Sequence, residues 1–278
     1  MTEQAIPMGQ ASVQKMLIDL LDNTKAEACY FNRPEKQVVC FSTQLSCSVG
    51  CTFCASPGPE KTLNLTCEEM LLQCHTMLAN NLVKDKVILF SFMGEGEPLL
   101  NYNNVVRTMK YLPRYYSNCR LALSTSGAAP KRIVDLSNEE FDVPFKLQVS
   151  MHSLDPVIRK EIMPLAHSVE EVVAAMETYR KNQPNRPIEL NFALMDGVND
   201  RDEDLELIRK HLDTSWYLKF GQFNPVPGIA FTGSPKIQEF TDALKKDGYT
   251  VEYHASDGSK TGAACGQTRG EYTAAFKK

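Results

Sequence analysis

Short apolar runs alternate with longer amphipathic stretches along most of the chain. Runs rich in Val, Ile, Leu and Phe occupy 37–43, 86–92, 120–124, 146–151, 188–194, 217–223 and 249–253. Several are apolar almost throughout, the pattern of strands covered on both faces. Between them, apolar positions take helical spacing at 66–80, 103–111, 168–181, 203–212 and 235–246, with a shorter helix after Pro130. Thr66, with Glu69 three residues on, gives the first of these a capping box. Pro130 stands at a helix entry, and Asp247-Gly248 closes the last helix before the final strand. The region 1–26 predicts one short helix at 13–21 with polar flanks.

Strand–helix alternation without hairpin signals predicts an α/β fold, a parallel sheet with helices outside it. Six or seven such units suit a full or partial β/α barrel better than an open sheet. No repeat, low-complexity tract or Pro/Gly-rich linker divides the chain. One catalytic domain is therefore expected over 27–253, after a short helical extension at 1–26 and before a C-terminal segment at 254–278. Residues 254–269 read HASDGSKTGAACGQTR, with almost no bulky apolar side chain, and predict a loop or tail.

Apolar residues make up 43% of the 278 and charged residues 23%, enough to bury a core without staples. Thirty basic against 34 acidic residues leave a formal charge of −4, which excludes a wholesale basic polymer-binding surface while allowing a local patch. No apolar run reaches the roughly eighteen residues of a membrane span. The start, MTEQAIPMGQ, lacks a basic stretch leading into an apolar one. No membrane association and a cytoplasmic location are expected.

The nine cysteines change the picture. They stand at 29, 40, 47, 51, 54, 67, 74, 119 and 265. An odd number, five of them between 29 and 54, does not suit a secreted disulfide framework; in a cytoplasmic chain such clusters bind metal or do chemistry. Cys47, Cys51 and Cys54 follow directly on the first of the core runs, at the C-terminal end of a strand, which is the catalytic face of a β/α barrel. Three ligands on one short loop suit a [4Fe-4S] cluster with one iron left open to a small molecule. A structural zinc wants a fourth protein ligand, and the nearest His downstream is His75. A zinc loop or a set of unconnected buried thiols is the alternative reading.

With this loop the sequence resembles the radical S-adenosylmethionine superfamily. In that superfamily the open iron chelates the amino and carboxyl groups of the cofactor, and an electron from the cluster cleaves it to methionine and a 5′-deoxyadenosyl radical. Met93-Gly94-Glu95-Gly96-Glu97-Pro98 after the run 86–92 agrees. Its turn offers the cofactor's ammonium group close backbone approach and an acceptor carboxylate. Further stretches are Cys40-Phe41-Ser42-Thr43-Gln44, Ser124-Thr125-Ser126-Gly127, Ser150-Met151-His152, Phe223-Asn224-Pro225-Val226-Pro227-Gly228 and Ala264-Cys265-Gly266-Gln267. In this order, over roughly 27–272, they resemble the RlmN/Cfr-like adenine-C methyltransferases.

That resemblance implies a partial (β/α)6-type TIM barrel with a mobile C-terminal segment. It implies methylation of an adenosine ring carbon, C2 rather than C8, in transfer or ribosomal RNA. It also implies a [4Fe-4S] cluster, two molecules of S-adenosylmethionine per turnover, a flavodoxin- or ferredoxin-type electron donor and a monomer. Adenine C2 and C8 are sp2 carbons without useful nucleophilicity, so direct transfer from a sulfonium is blocked. The resemblance makes Cys265 the methyl carrier and Cys40 the thiol that releases the product by forming a disulfide with it. Glu27 becomes the acceptor of the ring proton. Gly96, Glu97, Ser124, Ser150, Met151, His152 and Asn224 become cofactor contacts.

Plainer readings stand beside these: Cys40 as a packed core thiol, Glu27 as a surface residue before a strand, His152 as a satisfied structural histidine. Cys67 and Cys74, seven apart on one helix, are expected to pack; Cys29 and Cys119 are unassigned. The sequence departs from the family twice. Only 26 residues precede Glu27, too few for the accessory domain that helps to hold RNA, and Leu63 stands where relatives carry Arg. The rival functions are the same chemistry on another nucleotide or polymer, and a non-catalytic metal- or RNA-binding module.

Overall fold

The computed structural model describes residues 12–21, 24–56, 62–254, 263, 264, 266 and 267. Strands β1 (Ser12–Asp19) and β2 (Lys25–Asn32) pair antiparallel, and β2 continues antiparallel onto β3 (Gln37–Phe41). The short pair β4 (Gln44–Leu45) and β5 (Leu63–Asn64) brackets the loop that follows, and α1 (Cys67–Ala79) leads back to the sheet. From β3 onward every pairing in the main sheet is parallel: β6 (Ile88–Phe92), β7 (Cys119–Thr125), β8 (Phe145–Ser150), β9 (Ile188–Leu194), β10 (Tyr217–Gln222) and β11 (Thr250–His254) add in chain order. Helices α2 (Tyr102–Tyr115), α3 (Pro130–Leu136), α4 (Pro156–Ile162), α5 (Val169–Asn182), α6 (Asp202–His211) and α7 (Ile237–Lys246) fill the crossovers. Among the described residues β1 and β11 each pair on one side only, so the barrel is partial and does not close. No helix among them is long and apolar enough to cross a membrane.

The local signals behave as their chemistry dictates. Thr66 caps α1, with Glu69 returning the bond in a capping box, and Ser168 with Glu171 does the same for α5. Cys67 and Cys74 are buried on the inner face of α1, as expected of packed thiols.

The parallel strands are less uniform than their apolar text suggests. Phe41, Phe90, Phe92, Leu121, Leu123, Leu147, Val149, Leu190, Phe192, Leu218 and Phe220 form the main core beneath the helices. Alternate residues turn to the opposite face and, apart from a small apolar cluster around Val38 and Leu89, are polar or small. There Glu189 accepts from Lys146 at 2.6 Å and Gln148 at 2.5 Å, with Lys219 at 3.6 Å. A buried carboxylate in this interior is tolerated because cations and an amide surround it.

The N-terminal region corrects the sequence reading. The expected helix at 13–21 is instead the strand Ser12–Asp19 leading into a turn, and the chain does contain hairpins. Apolar positions 13, 16, 17 and 20 fit a helical period, but the cross-strand partner decides. Ile18 enters the main core, while Val13 packs on the other face with Cys29 and Phe31. Leu20 N–H bonds Thr24 O at 2.8 Å and Arg33 N–H bonds Lys36 O at 2.9 Å, closing turns without a glycine signature. Since β2 crosses the expected boundary at 26/27, the described residues from Ser12 onward belong to the sheet and form no helical extension.

Candidate active site

The C-terminal ends of β3 and β6 are bound together before any ligand is considered. Ser42 Oγ donates to Glu27 O at 2.7 Å and accepts from Glu95 N–H at 3.0 Å. Thr43 and Gln44 N–H donate to Glu95 O, Ser46 N–H donates to the Glu95 carboxylate at 2.6 Å, and Glu97 N–H donates to Gln44 Oε1 at 2.7 Å. Such close apposition leaves no room for side chains. A Cβ on Gly94 would stand 2.4 Å from the carbonyl carbon of Phe41, and one on Gly96, whose φ is 104°, would stand 2.6 Å from Gln44 Cβ. At Gly94 the obstacle is backbone and cannot yield. Gly94→Ala is therefore expected to cost about 3 kcal/mol and lower Tm by roughly 5–10 °C; an unchanged thermal melt would contradict the zipped geometry.

This frame launches the cysteine loop. Ser46 and Gly50 take positive φ, 68° and 71°, and wind the chain tightly. Thr52 N–H bonds Ile162 O at 3.0 Å, Cys54 N–H bonds Cys51 O at 3.2 Å, and Ser56 N–H points to Cys54 Sγ at 3.4 Å. Burial pushes the Cys47 thiol up to about 12 and the Cys51 thiol well above its ordinary value, and the charges of neighbouring thiolates raise both further. Mutually repelling thiols in a dry loop suit thiolates whose charge a bound metal group takes up. Among the described residues no three His, Cys, Asp or Glu side chains gather tightly enough for one ion. A four-iron cluster holds its thiolates at separate corners, further apart than the ligands of a single tetrahedral ion.

Glu97 is used differently from the sequence expectation. Its buried carboxylate accepts from Leu99 N–H at 3.1 Å and Thr125 Oγ1 at 2.7 Å on one oxygen, and from Ser126 N–H at 2.8 Å and Oγ at 2.7 Å on the other. Both oxygens are filled, so the side chain latches the 93–97 turn to the end of β7 and is not available as an acceptor for a ligand. What the turn still offers is backbone.

The remaining expected contacts ring the same mouth. Ser124, one residue before the end of β7, and Ser150, the last of β8, hold their hydroxyls 3.4 Å apart. Met151 is fully buried, and its N–H bonds Asn191 O at 3.0 Å. Asn224 is buried just beyond β10. His152 has φ 53°, meets the Phe53 ring edge-on at 4.8 Å, and accepts from Ala193 N–H through Nδ1 at 3.0 Å, which assigns the ring proton to Nε2. Burial and the charge of Arg159 push its pKa down to about 3.

Below 6.5, the unperturbed imidazole value, the unfolded chain takes up this proton while the folded chain does not. The stabilisation is thus complete above that pH and is lost as pH falls, by at most about 1.4 kcal/mol per unit. His152→Asn is expected to flatten the acid limb of a Tm-against-pH curve between roughly pH 6 and 4. An unchanged limb would contradict a ring held neutral in the fold.

Arg159 on α4 was not visible in the sequence as a site residue. It is 2% exposed. It donates to His167 O at 3.1 Å, Ser126 O at 3.1 Å and Met151 O, joining three loops at the mouth. Burial lowers its pKa to about 10, and the nearby Cys51 opposes this. No sequence signal separates it from the neighbouring Lys160, because its partners are backbone carbonyls supplied by tertiary structure.

A second group of residues lies on β2 and β3. Glu27 sits within β2, buried and ion-paired with Lys15, not on the surface before a strand. Cys40 is half-buried and packs in a small cluster with Cys29, Val38 and Ala263. Cys265 itself lies outside the described residues. Its neighbours in the chain are seated: Gly266 O accepts from Ala55 N–H at 2.8 Å, and Gln267 Nε2 donates to Pro225 O at 2.8 Å. Ala263, Ala264 and Gln267 are buried, so these residues of the expected mobile tail are docked. Leu63, at the position of the family's Arg, is exposed on β5.

Residues 41–208 match the family model for the radical SAM superfamily. A Clostridium beijerinckii protein named probable dual-specificity RNA methyltransferase RlmN is 34% identical, the match covering 93% of this chain and 74% of the relative. The dual-specificity RNA methyltransferase RlmN of Halorhodospira halophila is 31% identical over 93% and 73%. The crystal structure of a radical SAM methyltransferase from Sphaerobacter thermophilus superposes with a TM-score of 0.82 at 30% identity, covering 92% of this chain and 76% of that one. The chain spans about three quarters of the length of these relatives. Its sheet, its cysteine loop and its Gly-Glu-Pro turn are those of a radical SAM protein. Within that superfamily the chain belongs to the RlmN family.

Proposed function

We propose that this chain methylates a ring carbon of adenosine, C2 rather than C8, in transfer RNA, ribosomal RNA or both, through a methylated cysteine. Family membership supports RNA as the substrate. The observation that carries the chemistry is the seating of the residues around Cys265. Gly266 bonds the cysteine loop next to Cys54, and Ala263 belongs to the small cluster against which Cys40 packs. The residues flanking Cys265 thus reach both the cysteine loop and the cluster that holds Cys40, the two places a thiol carrier must serve.

Cys47, Cys51 and Cys54 would hold the [4Fe-4S] cluster. Gly96, Glu97, Ser124, Ser150, Met151, His152 and Asn224 would line the S-adenosylmethionine site, Glu97 by holding the turn in place and His152 by offering its Nε2–H, since the backbone N–H and C=O of both residues are already bonded within the fold. Bound together, cluster and cofactor supply a carbon radical able to take hydrogen from an S-methyl group. Cys265 first accepts a methyl group as a thiolate nucleophile, which makes two cofactor molecules necessary per turnover. It then carries the one-carbon unit onto the base, and the adduct gives up one electron to the cluster before release. Glu27, buried and partnered by Lys15, accepts the ring proton. Cys40 attacks the Cys265 sulfur and frees the product, leaving a disulfide.

A flavodoxin- or ferredoxin-type donor would reduce the cluster, and the enzyme would work as a cytoplasmic monomer. Nucleoside mass spectrometry of RNA from cells with and without the gene tests the assignment. Loss of 2-methyladenosine from a defined RNA is expected; an unchanged nucleoside profile would overturn it.

A further inference from the structure

Cys29 has no part in the chemistry above, and by burial alone it would pass as a packing residue. Its register says more. Cys29 is the Cα partner of Cys40 in the β2–β3 pair, and Lys15 is the partner of Cys29 on its other side. Directly opposed residues of an antiparallel pair hold their Cα atoms about 4.5 or 5.5 Å apart and turn their side chains to the same face. Either spacing falls inside the disulfide window of roughly 4.4–6.8 Å. The shared face is observed in the packing, because Cys29 and Cys40 join one cluster with Ala263, two residues before Cys265. The ion pair of Lys15 with Glu27 adds a cation and a carboxylate beside them. A neighbouring cation favours a thiolate.

We propose that Cys29 is a relay thiol that resolves the Cys40–Cys265 disulfide after each turnover. The proposal rests on the reading of Cys40 and Cys265 given above. The Cys29 thiolate, having lost its proton, attacks the Cys40 sulfur. A Cys29–Cys40 bond forms, the Cys40–Cys265 bond breaks, and Cys265 leaves as a thiolate ready for the next methyl group. The exchange moves the disulfide without changing the number of electrons. An external dithiol of the thioredoxin class then attacks Cys40, the half-buried member of the pair. It supplies two electrons, is itself oxidised to a disulfide, and returns Cys29 and Cys40 to thiols. The methyl carrier is thereby regenerated before the external reductant acts.

Disulfide mapping tests this. Reconstituted enzyme is given S-adenosylmethionine, dithionite and total RNA from cells lacking the gene, without added thiol, and is quenched with N-ethylmaleimide under denaturing conditions. Peptide mass spectrometry of the wild type is expected to find Cys29 joined to Cys40 and Cys265 alkylated. Cys29→Ala, and Cys29→Val as a variant that fills the buried site, are expected to lose that pair and show Cys40 joined to Cys265. A wild type with Cys40 joined to Cys265 and Cys29 alkylated would overturn the relay and leave the roles of Cys40 and Cys265 standing. Neither bond in any of these proteins would overturn both. In RNA-free Cys265→Ala protein, diamide is expected to join Cys29 to Cys40; alkylated Cys29 there would overturn the pairing itself.

Discussion

Replacing Cys47, Cys51 or Cys54 with Ala is expected to leave anaerobically reconstituted protein colourless and to cut RNA methylation by at least about three orders of magnitude. The wild type should be brown and carry about four irons per chain. On the proposed assignment each thiolate would hold one corner of the cluster. The fold should survive the change. The loop is held by backbone bonds that an alanine keeps, Cys54 N–H to Cys51 O and Thr52 N–H to Ile162 O among them. Removing one buried thiol also relieves the repulsion that raises the others. Iron content and the thermal melt of the metal-free protein separate loss of the cluster from loss of fold. A variant that retains both iron and activity would contradict the assignment.

The second large effect is a trapped intermediate. Cys40→Ala is expected to accumulate a covalent protein–RNA adduct, seen as a shifted band on a denaturing gel and removed by nuclease. Cys265→Ala should show no adduct and no methylation. In the proposed scheme, an enzyme without the resolving thiol would have nothing to release the one-carbon bridge between Cys265 and the base. Cys40 is suited to that task by position: it lies on β3 just before the frame of the cysteine loop, half-buried, packed against the cluster that includes Ala263. Its removal should cost the fold no more than about 1 kcal/mol. A Cys40→Ala enzyme that turns over normally and leaves no adduct would remove Cys40 from the scheme.

The parallel body of the fold was legible because its strands carry strong apolar runs between capped helices. The inward residues Lys146, Gln148, Glu189 and Lys219 were also in the text, at every second position, but their meaning depends on a polar barrel interior that no single strand reveals. The N-terminal hairpin was illegible for a different reason. Residues 13–21 satisfy both periods, and the turns at 20–24 and 33–36 lack the short glycine signature. Missing β2 also hid the burial of Glu27 and the pairing of Cys29 with Cys40. At the site, the motifs were readable where backbone geometry demands one residue type, as at Gly94 and Gly96. Arg159 and the committed carboxylate of Glu97 were not, because their partners come from segments distant in sequence.

The most direct test supplies S-adenosylmethionine with a fully deuterated methyl group. Before RNA is added, the peptide containing Cys265 should gain that methyl group intact. After turnover the methyladenosine should have lost one deuterium from it, with the missing deuterium recovered in 5′-deoxyadenosine. A methyladenosine bearing the fully deuterated group, or a Cys265 peptide that never gains a methyl group, would contradict transfer through the protein thiol.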